Sequence, residues 1–68
     1  MSDDGYSQAE MDEFTRKAKA EFGKTARVTE SVMYVGLAIE MHRNGKYRSY
    51  RGFTFKEAMQ NARQDKAA

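Results

Sequence analysis

Residues 32–53 read VMYVGLAIEMHRNGKYRSYRGF, and the choice between a mixed and an all-helical domain depends on whether they form strands or helices. Within residues 32–42, large apolar side chains alternate with small or polar ones, which is the pattern of a strand with one buried face. One face takes Val35, Leu37, Ile39 and Met41, and the other takes Gly36, Ala38, Glu40 and His42. As a helix, the same segment would be apolar nearly all round, which suits only a fully enclosed core. The alternation therefore predicts a strand over 32–42, with a buried helix as the alternative.

The dipeptide Asn44-Gly45 follows this segment and is typical of a two-residue hairpin turn, because both residues tolerate a positive φ. The same dipeptide also ends helices, so it does not decide between the two interpretations by itself. Residues 46–53 contain three aromatic side chains and no helical stripe. They are therefore predicted to form the second strand of a hairpin.

A two-residue turn fixes the register of this hairpin. The predicted pairs are Arg43 with Lys46, Met41 with Arg48, Ile39 with Tyr50, and Leu37 with Gly52. A three-residue turn with a bulge at Gly45 would put Arg51 among the core positions, so the shorter turn is preferred. The face turned away from the core then takes Ala38, Glu40, His42, Tyr47, Ser49 and Arg51.

A helix is predicted over residues 7–22, before the hairpin. Ser7 and Glu10 have the spacing of a capping box, in which each side chain binds the other residue's free backbone N–H. Apolar residues then recur at helical spacing, and Gly23 follows as a stop signal. The β-branched segment 25–29 predicts a third, short strand.

The chain closes with a second predicted helix, over residues 54–65, where Thr54 and Glu57 repeat the capping-box spacing. The predicted fold is α+β: a helix, an antiparallel hairpin or small three-stranded sheet, and a helix, with both helices on one face of the sheet. The alternative is an all-α domain of three helices. Residues 1–6 are predicted to be a disordered tail, and residues 7–66 a single small domain.

Composition limits the class of protein. The chain has 68 residues and a mass of 7.8 kDa, with no Cys and only five Val, Leu or Ile residues. A core this thin, with no disulfide to support it, predicts marginal stability. No apolar run approaches the roughly 20 residues that span a membrane. The N-terminus is acidic and polar, unlike a signal peptide. We therefore expect a cytoplasmic protein that does not bind membranes.

The side chains needed for catalysis are scarce. His42 is the only His, and it sits among basic residues beside the turn, as ordinary exposed histidines do. Without Cys, a Cys-His pair is excluded, and no phosphate-binding glycine motif is present. The acidic pairs lie in the tail or at adjacent helix positions that diverge, and no cluster has the spacing of metal ligands. We expect no enzymatic activity, no cofactor, no metal and no small-molecule substrate.

Positive charge is concentrated in residues 42–51, which hold four Lys or Arg and no acidic residue. Cations interleaved with aromatic rings can neutralise phosphates and stack on bases, and a two-stranded ribbon fits a DNA major groove. The predicted binding residues are Arg43, Lys46, Tyr47, Arg48 and Arg51. In the structural alternative, the same arginines protect a sheet edge from aggregation. A second basic set, which includes Lys24 and Arg27, receives less weight because most helices carry such a solvated face.

Residues 51–62, RGFTFKEAMQNA, resemble the last strand and final helix of two nucleic-acid-binding folds. One is the double-stranded-RNA-binding domain, whose helix begins K-K-x-A-K-x-x-A-A; Lys56, Ala58 and Ala62 match it. Phe55 and Met59 replace its flanking lysines, and its Gly-Pro-x-His loop is missing. The other is the AP2-like hairpin-plus-helix module, with its G-x-F-x-T-x-x-E-A run. The resemblance implies a strand entering a capped helix, and we assign the chain to neither family.

These observations favour a small non-enzymatic domain that binds nucleic acid, DNA or RNA, through a basic aromatic hairpin. The alternative is a protein-binding modulator or inhibitor, of the kind that phages and mobile elements encode, that docks on an acidic face of a larger host protein. We also expect a homodimer, because the sheet face away from the helices is left uncovered. The apolar residues expected on that face are Tyr34, Gly36, Ala38 and Tyr47.

Overall fold

The computed structural model of the protein describes residues 6–30 and 36–65. Its elements, in chain order, are helix α1 (Gln8–Phe22), strands β1 (Arg27–Glu30), β2 (Leu37–Arg43) and β3 (Lys46–Gly52), and helix α2 (Phe55–Gln64). The strands form one antiparallel sheet in the order β1-β2-β3. The predicted α+β fold is confirmed, and the three-helix alternative is wrong. Residues 32–35 of the predicted strand and 1–5 of the predicted tail lie outside the described residues.

The hairpin has the predicted register at all four pairs, from Arg43 opposite Lys46 to Leu37 opposite Gly52. Asn44 and Gly45 take φ values of 52° and 78°, as a two-residue turn requires. The alternation of β2 turns Leu37, Ile39 and Met41 into the core, where each is at most 1% exposed. A shift of one residue would bring the polar face of β2 inward, so this burial holds the register.

The third strand is present, at Arg27–Glu30 rather than 25–29. Val28 pairs with Ile39 and shares its buried face. Thr25 lies before the strand, but its side chain extends the hydrogen bonding between β1 and β2. The Thr25 hydroxyl accepts the N–H of His42 at 3.1 Å.

Both helices begin at the predicted caps. Ser7 forms the full capping box with Glu10. At α2 the Thr54 hydroxyl accepts the Glu57 N–H at 3.2 Å, but the Glu57 carboxylate accepts the N–H of Phe53, at 2.7 Å, instead of that of Thr54. The second box is therefore displaced by one residue, and it holds the end of the hairpin as well as the start of the helix.

Both helices pack on the sheet face that carries Val28, Leu37, Ile39 and Met41. The buried cluster is completed by small side chains and one methionine: Ala18, Ala26, Ala58, Met59 and Ala62. The rings of Phe14 and Phe55 stack at 4.5 Å and join α1 to α2. Tyr6, expected in the tail, packs edge-on against Phe14 with the ring centroids 5.4 Å apart.

The end of β3 and the start of α2 meet backbone to backbone. A Cβ added to Gly52 would lie 2.4 Å from the Ala58 nitrogen, and one added to Gly36 would lie 2.4 Å from the Gly52 oxygen. Only glycine allows so close an approach. Gly52 therefore sets how closely α2 returns over the hairpin, and Gly36 sets how closely the start of β2 approaches the end of β3.

Candidate nucleic-acid interface

The five predicted binding residues lie on two faces of the sheet. By the observed register, Arg43, Lys46 and Arg48 point to the same side as Met41, where the helices pack. Tyr47 and Arg51 point to the opposite side. The cations that are close in sequence therefore do not form one surface.

Arg43 is held by the C-terminal end of α2. Its Nη1 donates to the Ala62 carbonyl oxygen at 2.8 Å and to the Tyr50 hydroxyl at 3.2 Å. Its guanidinium also lies 5.4 Å from the centroid of the Phe22 ring. These contacts give a hydrogen bond to a carbonyl in the last turn of α2. They also place a positive charge at the negative end of the helix dipole, which stabilises the helix. Arg43 thus has a structural role that competes with phosphate binding.

Tyr50 completes this arrangement. Its hydroxyl donates to the Asp65 carboxylate, with the two oxygens 2.6 Å apart. Burial, and then the hydrogen bond to Asp65, raises the pKa of Tyr50 above its ordinary value of 10.0. We call Arg43, Tyr50 and Asp65, with the Ala62 carbonyl, the Arg43 cluster.

The other two cations on the helix side differ in accessibility. Arg48 is half-buried, and its Nε is buried with no hydrogen-bond partner among the described residues. Lys46 is exposed beside the turn and is the one of the three best able to reach a ligand. On the helix side of the sheet, Lys46 is therefore the one exposed cation of the three predicted binding residues.

The opposite side of the sheet is uncovered by either helix, and we call it the open face. Its residues, taken from the register of all three strands, are Arg27, Thr29, Ala38, Glu40, His42, Tyr47, Ser49 and Arg51. Tyr47 is its one exposed large apolar side chain among the described residues, at 57% exposure. Tyr34, which we expect on this face, lies outside the described residues.

Tyr47 has a defined polar environment. Loss of hydration, followed by the neighbouring Glu40 carboxylate, raises the pKa of Tyr47 above 10.0, while the charge of Arg27 acts in the opposite direction. Its ring also meets His42 edge-on, with the centroids 5.8 Å apart. The ring is therefore exposed on the same face as the cation Arg27, two strands away. The sequence does not place Arg27 on this face, because it does not define the register of β1.

A second candidate surface lies between the helices. It is a groove of about 390 Å³ lined by Lys17, Glu21, Phe55, Lys56, Met59 and Arg63. The Arg63 guanidinium donates to both carboxylate oxygens of Glu21, at 2.5 and 2.7 Å, and that pair closes part of the rim. The bond also lowers the pKa of Glu21. Two of the charges that line the groove, Glu21 and Arg63, are therefore paired with each other.

The described residues include no group of three His, Cys, Asp or Glu side chains that could hold a metal ion. Among them, no helix is long and apolar enough to cross a membrane. No protein-family model matches the chain, and neither a curated protein nor a solved structure matches it.

Proposed function

We propose that this protein binds single-stranded nucleic acid across the open face of its sheet. Tyr47 stacks on a base, while Arg27 and Arg51 on the same face neutralise phosphates. The observation that carries the proposal is the exposed Tyr47 ring, which meets His42 edge-on and shares the open face with Arg27 and Arg51.

A single strand suits this surface better than a duplex. Bases in a single strand are free to stack on an aromatic side chain, whereas bases in a duplex stack on one another. Insertion of the hairpin into a major groove would rely on the cations at its tip, and Arg43 is already bound to Ala62 and Tyr50. The open face instead offers a ring and cations on one extended surface.

The test is a comparison of Tyr47→Ala with Tyr47→Phe. Stacking contributes about 1–3 kcal/mol per base, so Tyr47→Ala should weaken binding by about fivefold to 150-fold. Tyr47→Phe keeps the ring and should stay close to wild type. Fluorescence anisotropy with a short labelled oligonucleotide at low salt measures both, and circular dichroism checks that the variants fold. Equal affinity of Tyr47→Ala and wild type would exclude the stacking role, and no binding by wild type would exclude the function.

Docking on an acidic protein surface is the second candidate function, and the exposure of Phe53 favours it. Phe53 is 69% exposed at the junction of β3 and α2, and the exposed Lys56 follows three residues later in the chain. An exposed aromatic beside a cation is typical of an interface anchor. The two functions respond differently to salt, because phosphate contacts release counterions and an apolar anchor does not. Capture of a partner that survives nuclease and high salt, and is lost in Phe53→Ala, would favour the protein partner.

A further inference from the structure

The two edges of the sheet are not equivalent. At the β1 edge, α1 lies alongside the strand, and the outward N–H of Val28 donates to the Thr15 hydroxyl at 3.4 Å. A helix that covers an edge strand prevents it from pairing with another chain. The β1 edge is thus closed at the centre of its four residues.

The β3 edge is open along its middle. Because a two-residue turn closes at Arg43 and Lys46, the hydrogen bonds between β2 and β3 are made by Lys46, Arg48, Tyr50 and Gly52. The backbone groups of Tyr47, Ser49 and Arg51 therefore point outward.

Asn61 of α2 donates to the Arg51 carbonyl at 2.5 Å. No hydrogen bond within residues 6–30 and 36–65 reaches the outward N–H and C=O groups of Tyr47 and Ser49.

We propose that β3 pairs antiparallel with β3 of a second copy of the chain, with the two-fold axis at Ser49. The outward N–H and C=O of Ser49 would then bond those of the partner's Ser49, and Tyr47 would face the partner's Arg51. The two sheets join into one sheet of six strands, with the open faces continuous. This inference is independent of the proposed function.

The sequence of β3, KYRSYRG, is self-complementary about Ser49. In this register Tyr47 opposes the partner's Arg51, and Arg48 opposes the partner's Tyr50, so each arginine lies across from an aromatic ring. Opposed cation and ring attract, whereas directly opposed like charges destabilise a sheet. An axis one residue earlier would set Arg48 against the partner's Arg48. The self-complementary sequence therefore argues for a second copy as the occupant, and the opposed rings and cations favour this register over the adjacent one.

Sedimentation equilibrium over a range of protein concentrations tests this pairing. Wild type should approach twice 7.8 kDa, and a mass of 7.8 kDa at every concentration would overturn the proposal. Ser49→Pro removes one outward N–H without removing a β2–β3 hydrogen bond, and edge strands accept proline at such positions. It should be monomeric and folded, while Ser49→Ala keeps the N–H and should dimerise like wild type. A folded Ser49→Pro dimer would contradict the proposal.

Cross-linking provides a second measurement that does not depend on the folding of the proline variant. Facing residues in a hydrogen-bonded antiparallel pair have Cα atoms about 5.5 Å apart, which is within disulfide range. The chain has no native Cys, so Ser49→Cys should oxidise to a covalent dimer faster than Arg27→Cys, an exposed position on the opposite edge. Equal rates for the two variants would overturn the pairing about Ser49.

Discussion

Arg43 links the hairpin turn to both helices through a single guanidinium. It binds the Ala62 carbonyl and the Tyr50 hydroxyl, and it lies over the Phe22 ring at the end of α1. The alternation that turns Met41 inward also turns Arg43 inward, two residues later. Grouping the cations as one run in the sequence hides this difference, because neighbouring residues of a strand face opposite ways.

Replacement of Arg43 by alanine should therefore destabilise the protein without any ligand present. Loss of hydrogen bonds to a charged group costs about 1.5–3 kcal/mol, so the free energy of unfolding should fall by that amount. Arg43→Lys should recover little of it, because one ammonium group does not reproduce the planar guanidinium. Urea titration followed by circular dichroism measures these values. Lys46→Ala, beside the same turn but exposed, serves as the control, and an equal loss in it would contradict the structural role of Arg43.

The raised pKa of Tyr50 predicts a loss of stability at alkaline pH. Its neutral form is favoured in the folded protein by burial and by the hydrogen bond to Asp65. The stabilisation is fully present below the unfolded pKa of about 10 and is lost as pH rises through the higher folded value. Urea titrations at neutral pH and above pH 10 should show a steeper loss in wild type than in Tyr50→Phe. Tyr6→Phe deletes a hydroxyl outside the Arg43 cluster and should keep the wild-type dependence. The same slope in Tyr50→Phe as in wild type would exclude this origin.

At the scale of elements, the return of α2 over the hairpin depends on the approach of its first turn to Gly52. The displaced capping box contributes as well, since Glu57 binds the Phe53 N–H that precedes the helix cap. The end of β3 and the start of α2 consequently form one rigid corner, from which the exposed Phe53 projects.

Gly52→Ala should disrupt this corner. The new Cβ would meet backbone atoms of Glu57 and Ala58, and backbone yields less readily than a flexible side chain. Overpacking of this kind costs about 1–3 kcal/mol. The melting temperature should drop clearly, while Ser49→Ala, on the same strand and exposed, should change it little. An unchanged melting temperature in Gly52→Ala would show that α2 can move away at no cost.

Much of this arrangement of elements follows from local patterns. The period of two in β2, the Asn44-Gly45 turn and the two capping spacings predict the helix–sheet–helix order and the hairpin register, and the structure confirms both. The position of β1 is harder to predict from the sequence, because a short β-branched segment does not determine which residues of β2 it pairs with. That register places Arg27 on the open face, on the same side of the sheet as Tyr47.

At the scale of the whole molecule, the sheet divides its basic residues into two groups. On the helix side, Arg43 and the half-buried Arg48 belong to the packing of the domain. On the open face, Arg27 and Arg51 stay exposed around Tyr47. The net charge of +2 does not show how the basic residues divide between the two sides of the sheet. It is also too small to identify a partner.

Amide chemical-shift mapping during titration with a single-stranded oligonucleotide shows which face of the sheet binds nucleic acid. Binding across the open face should move the amide signals of β2 and β3 around Glu40, Tyr47 and Ser49, together with Arg27 on β1, and the changes should diminish as salt rises. The amides around Lys17 and Lys56, which line the groove between the helices, should stay in place. Shifts confined to that groove, or no shifts at saturating oligonucleotide, would contradict the proposal that the open face binds nucleic acid.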